Sequence, residues 1–287
     1  AMFTRFGLLI LLCLQLLTDC TPHDKAELSA AAEQPRQPAV ARSKDYLATE
    51  TPTAKGTAPA EGKNAVETII PQIKGTAAAA VETQIARARN ALRKVVLDPG
   101  HGWLGESGAS YFDLKEKDAN LNIALLTQQI LERDGYRVAM TRTADDPDHD
   151  LTYAAQFANA QKSDIVVSIH ANAAGESASG TEACYTMGKR SDEQSKQLAK
   201  LLTTAIAERL GLQEIGIFPE NSAGKCARTA STGWTQLYIH DMDAPAALIE
   251  TAFLSNRSDA QLLTERPGDF AQAIADAVAR YFEAPGK

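Results

Sequence analysis

The segment VVLDPGHGWLGESGA, residues 95–109, begins as a short apolar run and breaks at Asp98-Pro99-Gly100. His101 then stands between two glycines. Glycine gives up side-chain packing and loses more conformational freedom on folding than other residues. Its presence on both sides of an imidazole therefore predicts a tight turn, or a close approach by another group. One histidine does not distinguish a tight turn from a close approach by another group. The remainder of the chain has to decide between them.

Strand-like and helix-like segments alternate along residues 93–287. The predicted strands are 94–98, 136–142, 164–170, 181–186 and 245–251, and the predicted helices are 117–135, 151–162, 191–211 and 268–283. The run DIVVSIH at 164–170 is typical of a strand that is buried on both faces. This alternation predicts a single α/β domain, an open and mostly parallel twisted sheet with helices on both faces.

The first twenty residues predict export. Arg5 precedes an apolar run over residues 6–17, and a polar break follows. A bilayer core needs roughly 20 apolar residues, so this shorter run is typical of a secretory signal peptide, here 1–20. Cys20 stands where a lipoprotein signal places its lipidated cysteine, although Asp19 replaces the preferred small residue. The sequence leaves open a lipid anchor at Cys20 and plain secretion, and predicts the periplasm or cell envelope.

Residues 21–92 differ in composition from the rest. They are rich in Ala, Thr, Glu, Lys and Pro, and they have too little apolar surface to offset the entropy of ordering. We interpret them as a low-complexity tether, partly helical within 76–93, where strong helix formers are frequent.

The charge and the cysteines narrow the class of protein. The net charge is −7, and its acidic excess lies in residues 93–287, which argues against nucleic-acid binding. Cys184 and Cys226 form an even pair in a domain predicted to be exported. They predict a disulfide, with two buried thiols as the alternative.

Three reactive side chains are placed at the carboxyl ends of predicted strands, where open α/β sheets form their sites. These are His101, His170 and Glu250, and Glu116 joins them on the approach to the first helix. Catalytic zinc often takes two histidines, one carboxylate and a water. The set supplies these ligands and one further carboxylate, which a hydrolase needs as a general base.

Each residue also has a plainer explanation. A lone histidine at a strand end is more often a structural hydrogen-bonding group, and Glu116 in LKEKDAN could belong to a solvated charge run. Glu250 is flanked by apolar residues, and a buried carboxylate is costly unless it is paired or bound. His240, in LYIHDMDAP, is a reserve candidate for the cleft.

Four blocks taken together resemble a known family. VVLDPGHGW, EKDANL, VSIHANA and PAALIETAFLSN are similar, in this order, to the zinc-dependent N-acetylmuramoyl-L-alanine amidases of bacterial cell-wall metabolism. The resemblance covers residues 94–283. It implies that His101, Glu116 and His170 ligate Zn²⁺ and that Glu250 is the catalytic glutamate.

The resemblance also implies a reaction, cleavage of the amide between the lactyl group of N-acetylmuramic acid and the L-alanine of the stem peptide. Peptidoglycan is then the substrate, and an activator protein is an allowed partner. Two alternatives stay open. One is a non-catalytic peptidoglycan-binding lipoprotein, and the other is a zinc peptidase that cuts within the stem peptide.

Several positions depart from the family pattern, among them Trp103, the GES stretch around Glu106, Ala154 and residues 213–236. Trp103 occupies a position where the family usually has glycine, and we interpret it as a sugar-stacking wall of the cleft. Residues 213–236 match the family poorly and predict a loop that borders the cleft, with a plain surface insertion as the alternative.

Overall fold

A computed structural model describes residues 79–146, 148–186, 191–220 and 239–284. The predicted signal peptide, Cys20 and most of the predicted tether lie outside these residues. Within the described ranges, no helix combines the length and the apolar character needed to cross a bilayer.

The element order agrees with the predicted alternation and adds to it. The strands of the described residues are β1 (Lys94–Pro99), β2 (Ser110–Tyr111), β3 (Leu114–Lys115), β4 (Arg137–Met140), β5 (Ile165–Asn172), β6 (Thr181–Tyr185), β7 (Glu214–Pro219) and β8 (Ala246–Phe253). Residues 79–90 are helical (α1). The other helices are α2 (Glu116–Arg133), α3 (Leu151–Gln161), α4 (Asp192–Leu210), α5 (Arg257–Glu265) and α6 (Pro267–Glu283), with a 3₁₀ turn at Ile239–Asp241.

Six strands form one sheet in the order β4-β1-β5-β8-β6-β7. All neighbours run parallel except β6, which runs against β8. Strands β2 and β3 form a separate antiparallel hairpin. The prediction of an open, mostly parallel sheet is confirmed.

The core has two layers because β1 is buried on both faces. Val95 and Leu97 belong to a hydrophobic cluster that also contains apolar side chains of α2, α4 and α6. Val96 points the other way, toward α3 and the 3₁₀ turn. Each fully buried aliphatic side chain contributes about 1.5–3 kcal/mol of hydrophobic stabilisation. Helices therefore cover both faces of the sheet, as predicted.

The predicted loop over 213–236 is wrong for its first part. Glu214–Pro219 form the edge strand β7, which pairs with β6 in parallel. Ile215 and Ile217 are β-branched residues at alternate positions, a pattern that favours a strand. Gly216 between them, with φ 148°, interrupts the apolar run and obscured the pattern. Residues 221–238 lie outside the described part of the chain.

Helix α1 lies within the predicted helical part of the tether. The side-chain amide of Asn90 donates to the backbone carbonyl of Asp134, 2.9 Å away, at the end of α2. A Cβ at Gly135 would stand 2.8 Å from the carbonyl oxygen of Arg87. The last turns of α1 therefore pack on the folded domain.

Candidate active site

Three side chains predicted as metal ligands converge at the carboxyl edge of the sheet. His101 follows β1, Glu116 opens α2, and His170 lies near the end of β5. Glu116 Oε1 is 2.9 Å from His101 Nε2 and 3.2 Å from His170 Nδ1. The two imidazole rings meet edge to face, with centroids 5.0 Å apart. One ligand atom from each residue lies within 4.8 Å of the others, a spacing that could hold a metal ion.

The glycines around His101 make room for this cluster. A Cβ at Gly100 would overlap the imidazole of His170, and a Cβ at Gly108 would stand 2.7 Å from the ring of His101. His101 itself has φ 65°, a left-handed conformation that is rare for a residue with a side chain. The segment thus turns tightly and also admits a close neighbour, the two explanations that its glycines predicted.

Backbone amides hold the carboxylate of Glu116. Its Oε2 accepts a hydrogen bond from the N–H of Ala109 at 2.9 Å, and its Oε1 accepts one from Ala171 at 3.3 Å. The residue is only 5% exposed. The solvated charge run proposed as an alternative is therefore wrong for Glu116, which is fixed between the loop at Ala109 and the end of strand β5.

The cluster shifts the protonation of its own members. Burial would lower the pKa of His101, but its contacts with Glu116 and Glu106 raise that pKa to about 9. Burial would raise the pKa of Glu116, but its hydrogen bonds with His101 and His170 hold it well below the ordinary value. In the absence of a cation, a proton on His101 thus balances the buried carboxylate.

Glu250 lies in one row with His170 across neighbouring strands. The Cα partner of Glu250 on β5 is His170, and its partner on β6 is Glu182. Glu182 is buried and accepts a 2.7 Å hydrogen bond from the side chain of Asn172. Burial raises the pKa of Glu250 well above its ordinary value, and the charges of Glu116 and Glu182 add to that rise. Glu250 is thus a carboxyl group with an unusually high proton affinity beside the cluster.

Two positioning residues were missed by the sequence analysis. Glu106 Oε2 is 2.5 Å from His101 Nδ1, and Glu106 Oε1 accepts from the N–H of Gly108. The buried guanidinium of Arg142 donates to three backbone carbonyls, those of Pro99, Gly100 and Lys117, at 2.8–3.0 Å. Arg142 thereby ties the turn before His101 to the first turn of α2. Its position as the last residue of a predicted strand gave no sign of this role.

The residues present fit a divalent metal ion. Two imidazoles and one carboxylate are a common set of catalytic zinc ligands. Among the described residues, Glu250 Oε2 is an enclosed side-chain atom with no hydrogen-bond partner, and it belongs to the residue paired with His170 across the sheet. A buried polar atom without a partner calls for an explanation, and an ion or ligand bound nearby is one. The donor set and this atom agree with a metal site.

Two other sequence interpretations are wrong. Trp103 is 2% exposed and packs edge to face on Tyr153, with ring centroids 5.8 Å apart, so it is a core residue and no wall of the cleft. His240 lies in the 3₁₀ turn before β8, at the strand's amino end, and Glu250 lies toward the other end. Its Nδ1 is 3.4 Å from Glu220 Oε1. The reserve candidate therefore does not face the cleft.

Cys184 is disulfide-bonded, as predicted. Cys226, its predicted partner, lies outside the described residues.

Comparisons with known proteins match the part of the chain that contains these four candidate residues. Residues 95–280 match the family model of N-acetylmuramoyl-L-alanine amidase. The amidase LytC of Bacillus subtilis is 31% identical over 209 residues, which cover 71% of this chain and 39% of LytC. The chain therefore spans about two fifths of that curated relative.

Solved structures agree with the fold. An N-acetylmuramoyl-L-alanine amidase from Clostridium difficile 630 superposes with a TM-score of 0.57 at 29% identity, over 68% of this chain and 98% of that one. The CwlD amidase from Clostridioides difficile, solved in complex with the GerS lipoprotein, gives a TM-score of 0.56 at 25% identity, over 66% of this chain and 98% of that one.

Proposed function

This chain belongs to the N-acetylmuramoyl-L-alanine amidase family, and from that premise we propose that it hydrolyses the amide between N-acetylmuramic acid and the L-alanine of the stem peptide in peptidoglycan. The observation that carries the proposal is the convergence of His101, Glu116 and His170 beside Glu250. These four side chains come from four separate segments of the chain and meet at one edge of the sheet. The set combines metal ligands with a carboxylate that has a raised proton affinity.

His101, Glu116 and His170 are the residues that would hold the ion, which we propose is Zn²⁺. When bound, it supplies a Lewis acid that polarises the scissile carbonyl and makes water more acidic. The protein contributes the orientation of the ligands. Glu106 contacts the second nitrogen of His101, and such outer contacts set the tautomer and direction of a ligating imidazole.

Glu250 is the proposed general base. It accepts a proton from water as the water oxygen bonds to the lactyl carbonyl carbon. It then donates that proton to the nitrogen of L-alanine as the carbon–nitrogen bond breaks. The products are a lactyl carboxylate and a stem peptide with a free amino terminus. Because burial raises the pKa of Glu250, its protonated form is accessible for the second step.

The proposed substrate also indicates where the protein acts. Peptidoglycan lies outside the cytoplasm, so the proposal includes export to the periplasm or cell envelope by the signal peptide at 1–20. A lipid anchor at Cys20 stays a prediction. So does an activator protein, which is supported by the complex of the CwlD amidase with a lipoprotein.

Product analysis tests the proposal. The full chain is incubated with purified peptidoglycan, and the soluble products are identified by mass spectrometry. We expect stem peptides that begin with L-alanine, a loss of product on chelation, and recovery on addition of Zn²⁺. Glu250→Gln is expected to lower the rate by about 10²–10⁴-fold while the protein still binds the metal. Glu193→Gln, on the exposed face of α4, is the matched control.

The two alternatives give different results in the same assay. Cuts inside the stem peptide would show a zinc peptidase. Binding to peptidoglycan with no product in any metal state would show a non-catalytic protein. Cleavage that persists after complete metal removal would overturn the metal-dependent mechanism.

A further inference from the structure

Exposed apolar side chains cluster on the segment that joins the first two proposed ligands. Leu104, Tyr111 and Phe112 are 65%, 38% and 43% exposed. The other exposed large apolar side chains in the described ranges belong to α1 or directly follow it. Apolar side chains that gather on an exposed surface often mark a binding site. Here they lie within the segment that carries His101 and Glu116.

The same segment is strained. His101, Leu104, Phe112 and Asp113 have φ values of 65°, 48°, 51° and 61°, and the one other such non-glycine residue in the described part of the chain is Lys162. Phe112 and Asp113 form the two-residue turn between β2 and β3. A turn with positive φ at both central residues strongly prefers Asn-Gly. Phe112 is exposed, so little core packing favours this conformation, and residues held in strained conformations cluster at functional sites.

A cation lies on the exposed ring. The guanidinium carbon of Arg257 is 4.4 Å from the ring centroid of Phe112. Within the described residues, Arg257 has no carboxylate partner. Arg257 opens α5, just beyond β8 and Glu250, and Phe112 lies just before Glu116. Their contact therefore joins the segment before Glu116 to the segment after Glu250.

We propose that Phe112 and Arg257 form a subsite for the stem peptide, in which the guanidinium binds a free carboxylate and the ring packs against the peptide's aliphatic atoms. This inference rests on the proposed function, because it says where the stem peptide of the proposed substrate binds relative to the proposed metal ligands. The glycan beside the lactyl amide is neutral, whereas stem peptides carry carboxylates. Beside the proposed metal ion, the floor of the site holds three carboxyl groups, those of Glu116, Glu182 and Glu250, so a cation at the rim is suited to an anionic part of the peptide. A guanidinium stacked on a ring keeps its edge N–H groups free for a carboxylate.

Two soluble muramoyl peptides test the subsite. They differ only in whether the stem carboxylate is free or amidated. We expect Arg257→Gln to lower kcat/KM about tenfold for the free carboxylate, mainly through KM, and to leave the amidated substrate unchanged. The matched control is Arg133→Gln, which removes an exposed arginine on α2 far from the hairpin tip. An equal effect of Arg257→Gln on both substrates, or none on either, would overturn carboxylate recognition.

A double substitution separates recognition from folding. Phe112→Asn with Asp113→Gly gives the turn its preferred residues and removes the ring. We expect a higher Tm together with a higher KM, a combination that a purely structural role for Phe112 does not produce. A lower Tm or an unchanged KM would contradict the proposal.

Failure of the proposed function would be distinguishable from failure of the subsite. If the unaltered chain cleaves neither muramoyl peptide, the amidase assignment fails. Calorimetric titration of the full chain with the free stem peptide then tests the subsite directly. Weaker binding to Arg257→Gln, for the free carboxylate only, supports it, and equal binding overturns it.

Discussion

The imidazole of His170 lies so close to the backbone of Gly100 that a Cβ at position 100 would overlap its Nε2 and Cε1 atoms. Gly100 therefore leaves the space that the ring of His170 occupies, although Gly100 itself directly precedes the other proposed histidine ligand, His101. The turn before His101 and the end of β5 are fitted to each other through the absence of a single methyl group.

Gly100→Ala is expected to displace His170 and disrupt the metal site. Small misplacements of catalytic groups can cost about 10²-fold in rate, so we expect a loss of that order in hydrolysis and a clear loss of Zn²⁺ affinity. Gly175→Ala is the control, because nothing lies within 4 Å of a Cβ there. Calorimetric metal titration and product release measure the two effects. Unaltered metal affinity in Gly100→Ala would show that the ring can move without consequence.

Glu106→Gln is expected to weaken the metal site without removing a ligand. The substitution keeps the size of the side chain and removes the charge beside His101 Nδ1. Loss of an outer contact of this kind typically lowers metal affinity or activity about 10–100-fold. The measurement is the Zn²⁺ dissociation constant, with Glu193→Gln as the control. An affinity equal to that of the unaltered chain would assign Glu106 to loop structure alone.

Arg142→Lys is expected to destabilise the domain and the site together. The single ammonium group of a lysine cannot replace the fork of donors that reaches the carbonyls of Pro99, Gly100 and Lys117, so about two of these hydrogen bonds are lost. Buried hydrogen bonds to charged groups contribute about 1.5–3 kcal/mol each, so the free energy of unfolding should fall by about 3 kcal/mol. Urea denaturation measures the change. Arg133→Lys, on the surface, should stay within about 0.5 kcal/mol. A similarly small change in Arg142→Lys would disprove the bracing role.

The metal-free protein should lose stability as the pH rises above neutrality. The pKa of His101 is raised from 6.5 to about 9, so its stabilising proton is fully present below pH 6.5 and is lost as the pH rises through 9. Glu116 has a lowered pKa, so its contribution is present above pH 4.5 and is lost as the pH falls. The Tm of the chelated protein is therefore expected to be highest between pH 4.5 and pH 6.5, where both contributions are present.

The metal-loaded protein provides the comparison. Binding of Zn²⁺ must displace the proton from His101, so the Tm difference between loaded and chelated protein should widen from pH 6.5 to 9. A series of thermal scans across this range measures both trends. A Tm of the chelated protein that increases over the same range would contradict the assignment of the raised pKa to His101.

The central sheet could be predicted because burial dictates its residues. Strands β1, β5 and β8 are apolar on both faces, and each is followed by a polar residue or turn that marks its end. The hairpin of β2 and β3 escaped prediction because each strand has two residues and little buried surface. Helix α5 escaped because it is short and its amphipathic pattern directly follows a strand.

The candidate site was predictable where chemistry coincides with a strand end. His101 follows a strand end, His170 and Glu250 lie two and three residues before the ends of their strands, and Glu116 stands at the start of a helix. Trp103 was misread because a bulky residue after the glycines can turn either toward the cleft or into the core. His240 was misread because the direction of β8 decides which edge a preceding residue occupies. Arg142 was overlooked because its partners are backbone carbonyls, which no sequence pattern specifies.

The position of β8 sets the order in which the parts of the site are completed during synthesis of the chain. It is the last strand in the sequence, yet it lies between β5 and β6 in the sheet. A growing chain completes its three proposed ligands at His170, and the strand that carries Glu250 follows much later. Until that strand arrives, β5 has an unpaired edge and the site lacks its base. A chain that stops before residue 246 therefore has its three proposed metal ligands but neither the proposed base nor a closed central sheet, so the proposed site is complete only once β8 has been added.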